Sequence, residues 1–143
     1  MTSASEQQLR DFLAAHPSTD IADIGGVPGS LSWLEGRRCY SLPFDICENG
    51  LERDFPTITS MDTFEHILDP KQAAYNIAGS LVPGGWMFLT TVFSWPYHEH
   101  PIDTYRFSDT ALRWLFRRLE IERAWMEEDG PGIRSTIIAR RPS

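Results

Sequence analysis

The densest group of polar and ionisable side chains in the sequence lies between residues 97 and 106. It comprises Tyr97, His98, Glu99, His100, Asp103, Tyr105 and Arg106. Because the unperturbed pKa of histidine lies near neutrality, His98 or His100 is the natural general base of this group. Asp103 is placed to orient that base, while Tyr105 or Arg106 is suited to hold an acidic or hydroxylated substrate. We therefore predict that this loop carries the catalytic residues, namely His98, His100, Asp103 and Tyr105.

Two other interpretations stay open for the same loop. The His-x-His pair followed by Asp103 offers three ligands for a metal ion, because alternate side chains of an extended segment point the same way. Such triplets arise often by chance, and we expect no metal. In the other interpretation these residues only pack the loop around its two prolines.

A second candidate site is the segment "DIGGVPGS" at residues 23–30. An acidic residue is followed by glycines at the point where a strand would turn into a helix. Such a turn lets a ligand approach the backbone closely, and the helix N-terminus offers free N–H groups to it. Alternatively, Gly25 and Gly26 merely build the turn from strand to helix.

The elements that must position these residues alternate along the chain. Helices are predicted over residues 5–15, from Pro70 to about residue 82 with Asp69 as its cap, and after Ser108. Strands are predicted at residues 20–26, 39–46, 55–64, 86–93, 119–128 and 132–141, with a brief helix or turn at 30–36. Strands alternating with helices, followed by a terminal hairpin, predict an α/β sandwich with a mainly parallel sheet.

Four segments, in this order, resemble the class I S-adenosylmethionine-dependent methyltransferases, in particular the type 11 group. "DIGGVPGS" is similar to the family's first motif, D-x-G-x-G-x-G, and "TSMDTFEHILDP" to its fourth-strand segment with a Glu-His pair. "SLVPGGWMFLTT" is similar to the Leu-x-Pro-Gly-Gly turn into the fifth strand. "PYHEHPIDTYRFSDTALRWLF" is similar to a later loop and helix. The resemblance spans roughly residues 19 to 141.

The resemblance implies S-adenosylmethionine as the cofactor and a compact, Rossmann-like three-layer sandwich. It also implies methyl transfer to an oxygen or nitrogen of a small molecule, such as a sugar or natural product. By position, the residues expected to bind the cofactor are Asp23, Gly25, Gly26, Gly29, Asp45 and Asp62. The Glu65–His66 pair would support structure near the cofactor.

Two departures from the family pattern affect the site. Val27 stands where the middle glycine usually lies, and a β-branched residue rarely takes a positive φ. In addition, about 28 residues separate Gly29 from Thr57, too few for two strand-helix units of about 30 residues each. We expect the core to lack about one such unit, so Asp45 ends the second strand, belongs to the third, or is a plain loop carboxylate.

The composition limits the remaining possibilities. A chain of 143 residues forms one domain, with an N-terminal helix at 1–17 and the core at 19–141. Its net charge of −7 argues against binding nucleic acid, and no apolar stretch or basic leader predicts a membrane span or a signal peptide. We expect a cytoplasmic protein that forms a homodimer or a heterodimer with a methyltransferase-like protein. The alternative to an enzyme is a degenerate subunit that binds and stabilises an active homologue.

Overall fold

A computed structural model of the chain describes residues 3–27, 31, 33–34, 36–42, 44–99 and 102–143. Within these residues the helices are α1 (Ala4–Ala15), α2 (Pro70–Gly79) and α3 (Asp109–Leu115), and a short 3-10 helix covers Phe64–His66. The strands are β1 (Ile21–Ile24), β2 (Arg38–Tyr40), β3 (Phe55–Met61), β4 (Leu81–Ser94), β5 (Glu120–Asp129) and β6 (Gly132–Arg140). The predicted alternation of helices and strands is confirmed.

The described strands form one sheet in the order β2-β1-β3-β4-β6-β5. The first four strands pair in parallel, whereas β6 runs antiparallel to both β4 and β5. The mainly parallel sheet with a C-terminal antiparallel hairpin is therefore confirmed. In this topology the carboxyl ends of β1, β2, β3 and β4 meet at one edge, where open α/β sheets bind their ligands.

Helices cover both faces of the sheet. On one face, Leu9 and Phe12 of α1 are buried against Phe88 of β4. On the other face, Ile77 of α2 and Leu112 of α3 belong to the larger core, which the short 3-10 helix also joins. The alternation of side chains along each strand supplies both cores, as a three-layer sandwich requires.

Local capping explains where the helices begin. The Asp69 side chain accepts a hydrogen bond from the N–H of Gln72, and Pro70 occupies the first turn, where its missing N–H costs nothing. Ser108 caps α3 in the same way through the N–H of Ala111. Both predicted caps are confirmed. The strand predicted at residues 86–93 was placed too late, because the chain already pairs with β3 from Leu81.

The expected loss of one strand-helix unit is also confirmed. Between β2 and β3 the described residues form turns and no further strand, which leaves β2 at the edge of the sheet. The strand predicted over residues 39–46 is wrong in its extent, since β2 ends at Tyr40. Asp45 lies five residues later, where its carboxylate accepts the N–H of Cys47 in a turn. It therefore belongs to no third strand.

In the described part of the chain, no helix combines the length and apolar character that crossing a membrane would require.

Candidate functional site

A cavity of about 580 Å³ opens at the carboxyl ends of β1, β2 and β3. Ile24 and Tyr40, the last residues of β1 and β2, line it together with Asp62, which follows β3. Its volume lies within the range of about 300–1,000 Å³ that is usual for small-molecule sites. The fold therefore places a ligand-sized space where its parallel strands end.

The glycines of the loop after β1 are needed for close packing. Gly25 lines the cavity with φ +80°, and a Cβ atom there would collide with the side chain of Thr63. A Cβ atom on Gly26 would collide with the carboxylate of Asp23. Both glycines thus let the loop turn tightly over the end of the sheet. Gly29, also predicted to bind the cofactor, lies outside the described residues.

Asp23 lies beneath this loop and is not among the residues that line the cavity. Its buried carboxylate pairs with Arg37 at 2.8 Å and accepts a hydrogen bond from the Thr59 hydroxyl at 3.1 Å. Burial raises the pKa of Asp23, while the hydrogen bond and charge of Arg37 act in the opposite direction. The structure therefore places Asp23 where it supports the loop.

Arg37 ties this pair to the loop backbone. Its guanidinium donates hydrogen bonds to the carbonyl oxygens of Val27 at 3.1 Å and Leu34 at 3.1 Å, in addition to its bond with Asp23. Sequence reasoning missed Arg37. Only the parallel pairing of β1 with β2 brings it beside Asp23, from 14 residues further along the chain.

Val27 lines the cavity, and 57% of its surface is exposed. Its φ is not positive, unlike that of Gly25, so the valine side chain strains no backbone at this position. The side chain instead occupies space at the cavity wall. The valine in place of the family's middle glycine therefore changes the shape of the wall and needs no strained backbone at this position.

Two carboxylates predicted to bind the cofactor lie on the cavity wall. Asp62 has φ +57°, a left-handed conformation that aspartate tolerates better than most residues, and its carboxylate pairs with Arg134 of β6. Asp45 lines the cavity between the apolar side chains of Phe44 and Ile46. The wall thus combines acceptors for hydroxyl or ammonium groups with an apolar surface.

A cluster of Glu65, His66 and His98 lies next to the cavity. Oε2 of the buried Glu65 lies 3.9 Å from Nε2 of His66 and 4.0 Å from Nε2 of His98, and the two imidazole rings meet edge to face with centroids 4.6 Å apart. Burial and the charge of Asp62 raise the pKa of Glu65, although the Thr91 hydroxyl donates to its carboxylate. His66 also lines the cavity.

The predicted partnership of His98 and Asp103 forms through the backbone. Asp103 accepts the backbone N–H of His98 at 2.7 Å, and its carboxylate lies 3.8 Å from Nδ1 of the same residue. The Arg106 guanidinium binds Asp103 at 2.5 and 2.9 Å and, with that N–H, holds the pKa of its carboxyl far below the usual range. Asp103 therefore holds the backbone of the loop in place at His98.

Tyr105, also predicted to be catalytic, adjoins this cluster through its backbone N–H, which donates to the carbonyl oxygen of Glu65 at 3.4 Å, but its side chain bonds elsewhere. The Tyr105 hydroxyl donates to the carbonyl oxygen of Leu68, and the residue is 40% exposed. His100 lies outside the described residues. Glu65 and His66, which the sequence suggested only as structural support, are instead the partners that His98 meets.

One known protein family matches most of the chain. A family model described as a methyltransferase domain matches residues 6–130. The chain belongs to this family. The resemblance read from the four sequence segments is thereby confirmed at the level of the family. No curated protein matches the methyltransferase chain by sequence.

Solved structures share the fold of this methyltransferase domain at low sequence identity. TehB from Haemophilus influenzae is 11% identical with a TM-score of 0.71, and the match covers 94% of this chain and 62% of TehB, less than two thirds of its length. The N-methyltransferase NodS from Bradyrhizobium japonicum, in complex with S-adenosylhomocysteine, is 14% identical with a TM-score of 0.69, covering 97% and 86%.

A third structure carries both a cofactor product and a substrate. The 1,6-didemethyltoxoflavin-N1-methyltransferase from Burkholderia thailandensis, with bound 1,6-didemethyltoxoflavin and S-adenosylhomocysteine, is 15% identical with a TM-score of 0.71, covering 99% of this chain and 80% of that one. At these identities the likeness establishes the shared Rossmann-like methyltransferase fold.

Proposed function

We propose that this methyltransferase domain binds S-adenosylmethionine in the cavity at the ends of β1, β2 and β3 and methylates an oxygen or nitrogen atom of a small molecule. The observation that carries the proposal is the juxtaposition of two features. A cavity of about 580 Å³ is built on the loop of Gly25, and the cluster of Glu65, His66 and His98 adjoins it through His66. The cytoplasm is the expected location.

The residues of the wall fit the chemical groups of this cofactor. Gly25 offers backbone that a ligand can approach without meeting a side chain. Asp45 and Asp62 supply carboxylate acceptors suited to ribose hydroxyls and to an ammonium group, while Leu42 and Phe44 offer apolar surface to a flat base. Asp23 and Gly26 would contribute by holding the loop, and Gly29 remains a prediction.

When bound, S-adenosylmethionine would supply its methyl group to an acceptor atom that attacks the methyl carbon in line with the carbon–sulfur bond, and S-adenosylhomocysteine would leave as that bond breaks. The work left to the protein is to orient the acceptor and, where the acceptor is protonated, to take up its proton. His66 faces the cavity, and Glu65 and His98 lie directly behind it. We assign the proton-accepting side of the site to this cluster, in which His98 positions His66 from behind.

The rim of the cavity supports an acceptor with an apolar part. Val27, Leu42 and Leu68 line the opening with 57%, 69% and 70% of their surfaces exposed. Apolar atoms at the mouth of a site gain free energy when an apolar ligand covers them. A purely polar acceptor, such as an unsubstituted sugar, matches this rim less well than one that carries a ring or an alkyl group.

Titration calorimetry with S-adenosylhomocysteine tests the proposal. We expect one site per chain with a Kd in the micromolar range. Asp62→Asn should weaken binding, whereas Glu48→Gln should not, because Glu48 is exposed and does not line the cavity. No heat at ligand concentrations near a millimolar, with the protein folded by circular dichroism, would sink the stand-alone enzyme.

The exposed rim also supports the second candidate, a partner subunit of an active methyltransferase. Removing one strand-helix unit leaves β2 at the sheet edge beside Leu42, where another chain could cover both. This candidate predicts a heterodimer with a methyltransferase-like chain and no binding of S-adenosylhomocysteine by the isolated protein. Light scattering after size-exclusion chromatography, with and without such a homologue, separates the two candidates and reports any homodimer.

A further inference from the structure

Three donor atoms of different residues converge beside the cavity. Oε2 of Glu65 and the Nε2 atoms of His66 and His98 all lie within 4.8 Å of one another. Two imidazoles and one carboxylate form a ligand set that proteins use for zinc and related divalent transition metals. A metal site requires that the three lone pairs face a common point and that neighbouring groups hold the ligands in place.

The hydrogen bonds at the far side of each ring fix which nitrogen carries the lone pair. Nδ1 of His66 lies 2.5 Å from the carbonyl oxygen of Ile102, and Nδ1 of His98 lies 3.0 Å from that of Pro96. A carbonyl oxygen only accepts, so both Nδ1 atoms donate. In the neutral rings the lone pairs are therefore on the Nε2 atoms, which face Glu65. A backbone carbonyl behind Nδ1 is the usual support of a metal-binding histidine.

The carboxylate and the loop are held as firmly as the rings. Oε1 of Glu65 accepts a hydrogen bond from the Thr91 hydroxyl at 2.9 Å, which leaves Oε2 directed at the histidines. The backbone N–H and hydroxyl of Thr104 both donate to the carbonyl oxygen of Glu65 at 2.8 and 3.1 Å. Asp103 binds the backbone N–H of His98 at 2.7 Å. Each donor is thus supported by contacts outside the cluster.

We propose that Glu65, His66 and His98 bind one divalent transition-metal ion of the zinc class. Ligand atoms about 2.0–2.1 Å from a tetrahedral ion lie about 3.4 Å apart. The 3.9 and 4.0 Å separations therefore close by roughly half an ångström, and the separation of the two Nε2 atoms, at most 4.8 Å, closes by up to about 1.4 Å, through rotations of the side chains. The proposed site differs from the expectation, made from the sequence, that the protein binds no metal. It also differs from the alternative set of the His-x-His pair and Asp103, because the carboxylate of Asp103 already pairs with the Arg106 guanidinium.

The site goes beyond the proposed methyl transfer, because metal binding requires neither cofactor nor substrate. Three protein ligands leave a fourth position of a tetrahedral ion for water or a ligand. Since His66 is one of the three ligands and also lines the cavity, the ion would lie next to the cavity. A hydroxyl group bound there would lose its proton more readily, so the cluster would act on an acceptor through the ion.

Metal titration of the untagged chain tests the proposal directly. Zn²⁺ affinity is measured by competition with a chromophoric chelator, and Co²⁺ binding by the intense visible absorption of four-coordinate Co²⁺. The variants are His66→Ala, His98→Ala and Glu65→Gln. The matched control is His16→Ala, which removes a histidine that stacks on Trp86 and lies outside the cluster. All variants also carry Cys39→Ser and Cys47→Ser, since both cysteines are free thiols.

We expect one ion per chain, and a loss of affinity of about tenfold or more in each cluster variant but not in His16→Ala. His98→Ala is the decisive variant, because this partly exposed side chain can be removed with the least risk to folding, which circular dichroism checks. Equal affinity in the parent and His98→Ala would overturn the proposal, as would six-coordinate Co²⁺ absorption unchanged by any of the substitutions. Zinc binding without binding of S-adenosylhomocysteine would support the metal site and refute the proposed methyl transfer.

Discussion

The buried pair of Asp23 and Arg37 gives the sharpest prediction. Both side chains are buried, and the guanidinium also holds carbonyl oxygens of the glycine loop. Replacing Arg37 by methionine keeps much of the apolar stem but leaves the Asp23 carboxylate in a buried place without its counter-charge. Breaking a buried pair from one side costs about 3–5 kcal/mol. With a urea m-value of about 2 kcal/mol/M, the unfolding midpoint should fall by about 2 M.

A double-mutant cycle isolates the pair. Asp23→Asn alone leaves the guanidinium without a carboxylate, so it should also destabilise the protein. The double variant should be more stable than the sum of the two losses predicts, by about 1–3 kcal/mol, because the second change removes an already uncompensated charge. Arg38→Met is the matched control. Its side chain is 60% exposed and pairs only with Glu52 among the ion pairs of the described residues, so the midpoint should scarcely move.

The same variants decide how Asp23 serves the cofactor. If it acts by holding the loop, Asp23→Asn, Arg37→Met and the double variant should lose affinity for S-adenosylhomocysteine by similar factors. Calorimetry is run at a temperature where each variant is folded. A loss of affinity confined to Asp23→Asn, with Arg37→Met binding as the parent does, would refute the loop-support reasoning and show a direct contact between Asp23 and the ligand.

Three further predictions address the glycine loop and an ion pair at the amino ends of β1 and β3. Gly25→Ala should cost about 2–4 kcal/mol of unfolding free energy, because the added Cβ collides with Thr63. The control is Gly36→Ala, which should show only the backbone cost of about 1–2 kcal/mol, since Gly36 has φ +78° but no atom near its added Cβ. Equal urea midpoints for the two variants would contradict this. Val27→Trp should leave stability unchanged and weaken the binding of S-adenosylhomocysteine about tenfold, as measured by calorimetry. Unchanged affinity would show that this side chain lies off the ligand's path. Arg53 lowers the pKa of Asp20, so their ion pair should stabilise the protein above the unfolded pKa of about 3.9 and cease to do so as the pH falls through the lower folded pKa. Urea titrations should therefore show a loss of stability in Asp20→Asn at neutral pH that shrinks as the pH falls below about 3.9; a loss that does not shrink would count against the ion pair.

Local signals predicted the elements whose limits depend on nearby residues. Asp69 and Pro70 fix the start of α2 through a side-chain acceptor and a residue without an N–H, and both effects are readable from two letters. The missing strand-helix unit was predictable by counting, because a strand and a helix need a minimum number of residues. The hairpin of β5 and β6 followed from alternating apolar residues on either side of Gly130.

The site was less predictable because its contacts join distant segments. His98 was predicted to be a reacting residue from its type, but its partners Glu65 and His66 lie more than 30 residues earlier. They meet because the loop after β4 folds back and Thr104 donates to the carbonyl oxygen of Glu65. No periodicity encodes that contact. The same holds for Arg37, whose role depends on the register between β1 and β2.

The two departures from the family pattern fall on one side of the cavity. They leave intact the surface formed by Gly25 and Asp62, which we call the floor of the cavity. Val27 and the missing unit alter the side next to β2. The floor is built by Gly25 and Asp62, both in left-handed conformations. Contacts away from the missing unit fix these conformations. Thr63 packs against Gly25 and donates to the carbonyl oxygen of Ile24, and an arginine of β6 binds Asp62.

It follows that affinity for the cofactor and completeness of the wall are separable properties of this chain. The floor residues Gly25 and Asp62 are held by contacts with the retained sheet. The open side exposes Leu42 and Leu68, so coverage of that side by substrate or by a partner chain would add binding free energy without changing the floor. For the enzyme, we therefore expect S-adenosylhomocysteine to bind the isolated chain and to bind more tightly when the rim is covered, whereas the subunit candidate predicts no binding by the isolated chain. The difference between the two lies in whether the uncovered floor still holds S-adenosylhomocysteine.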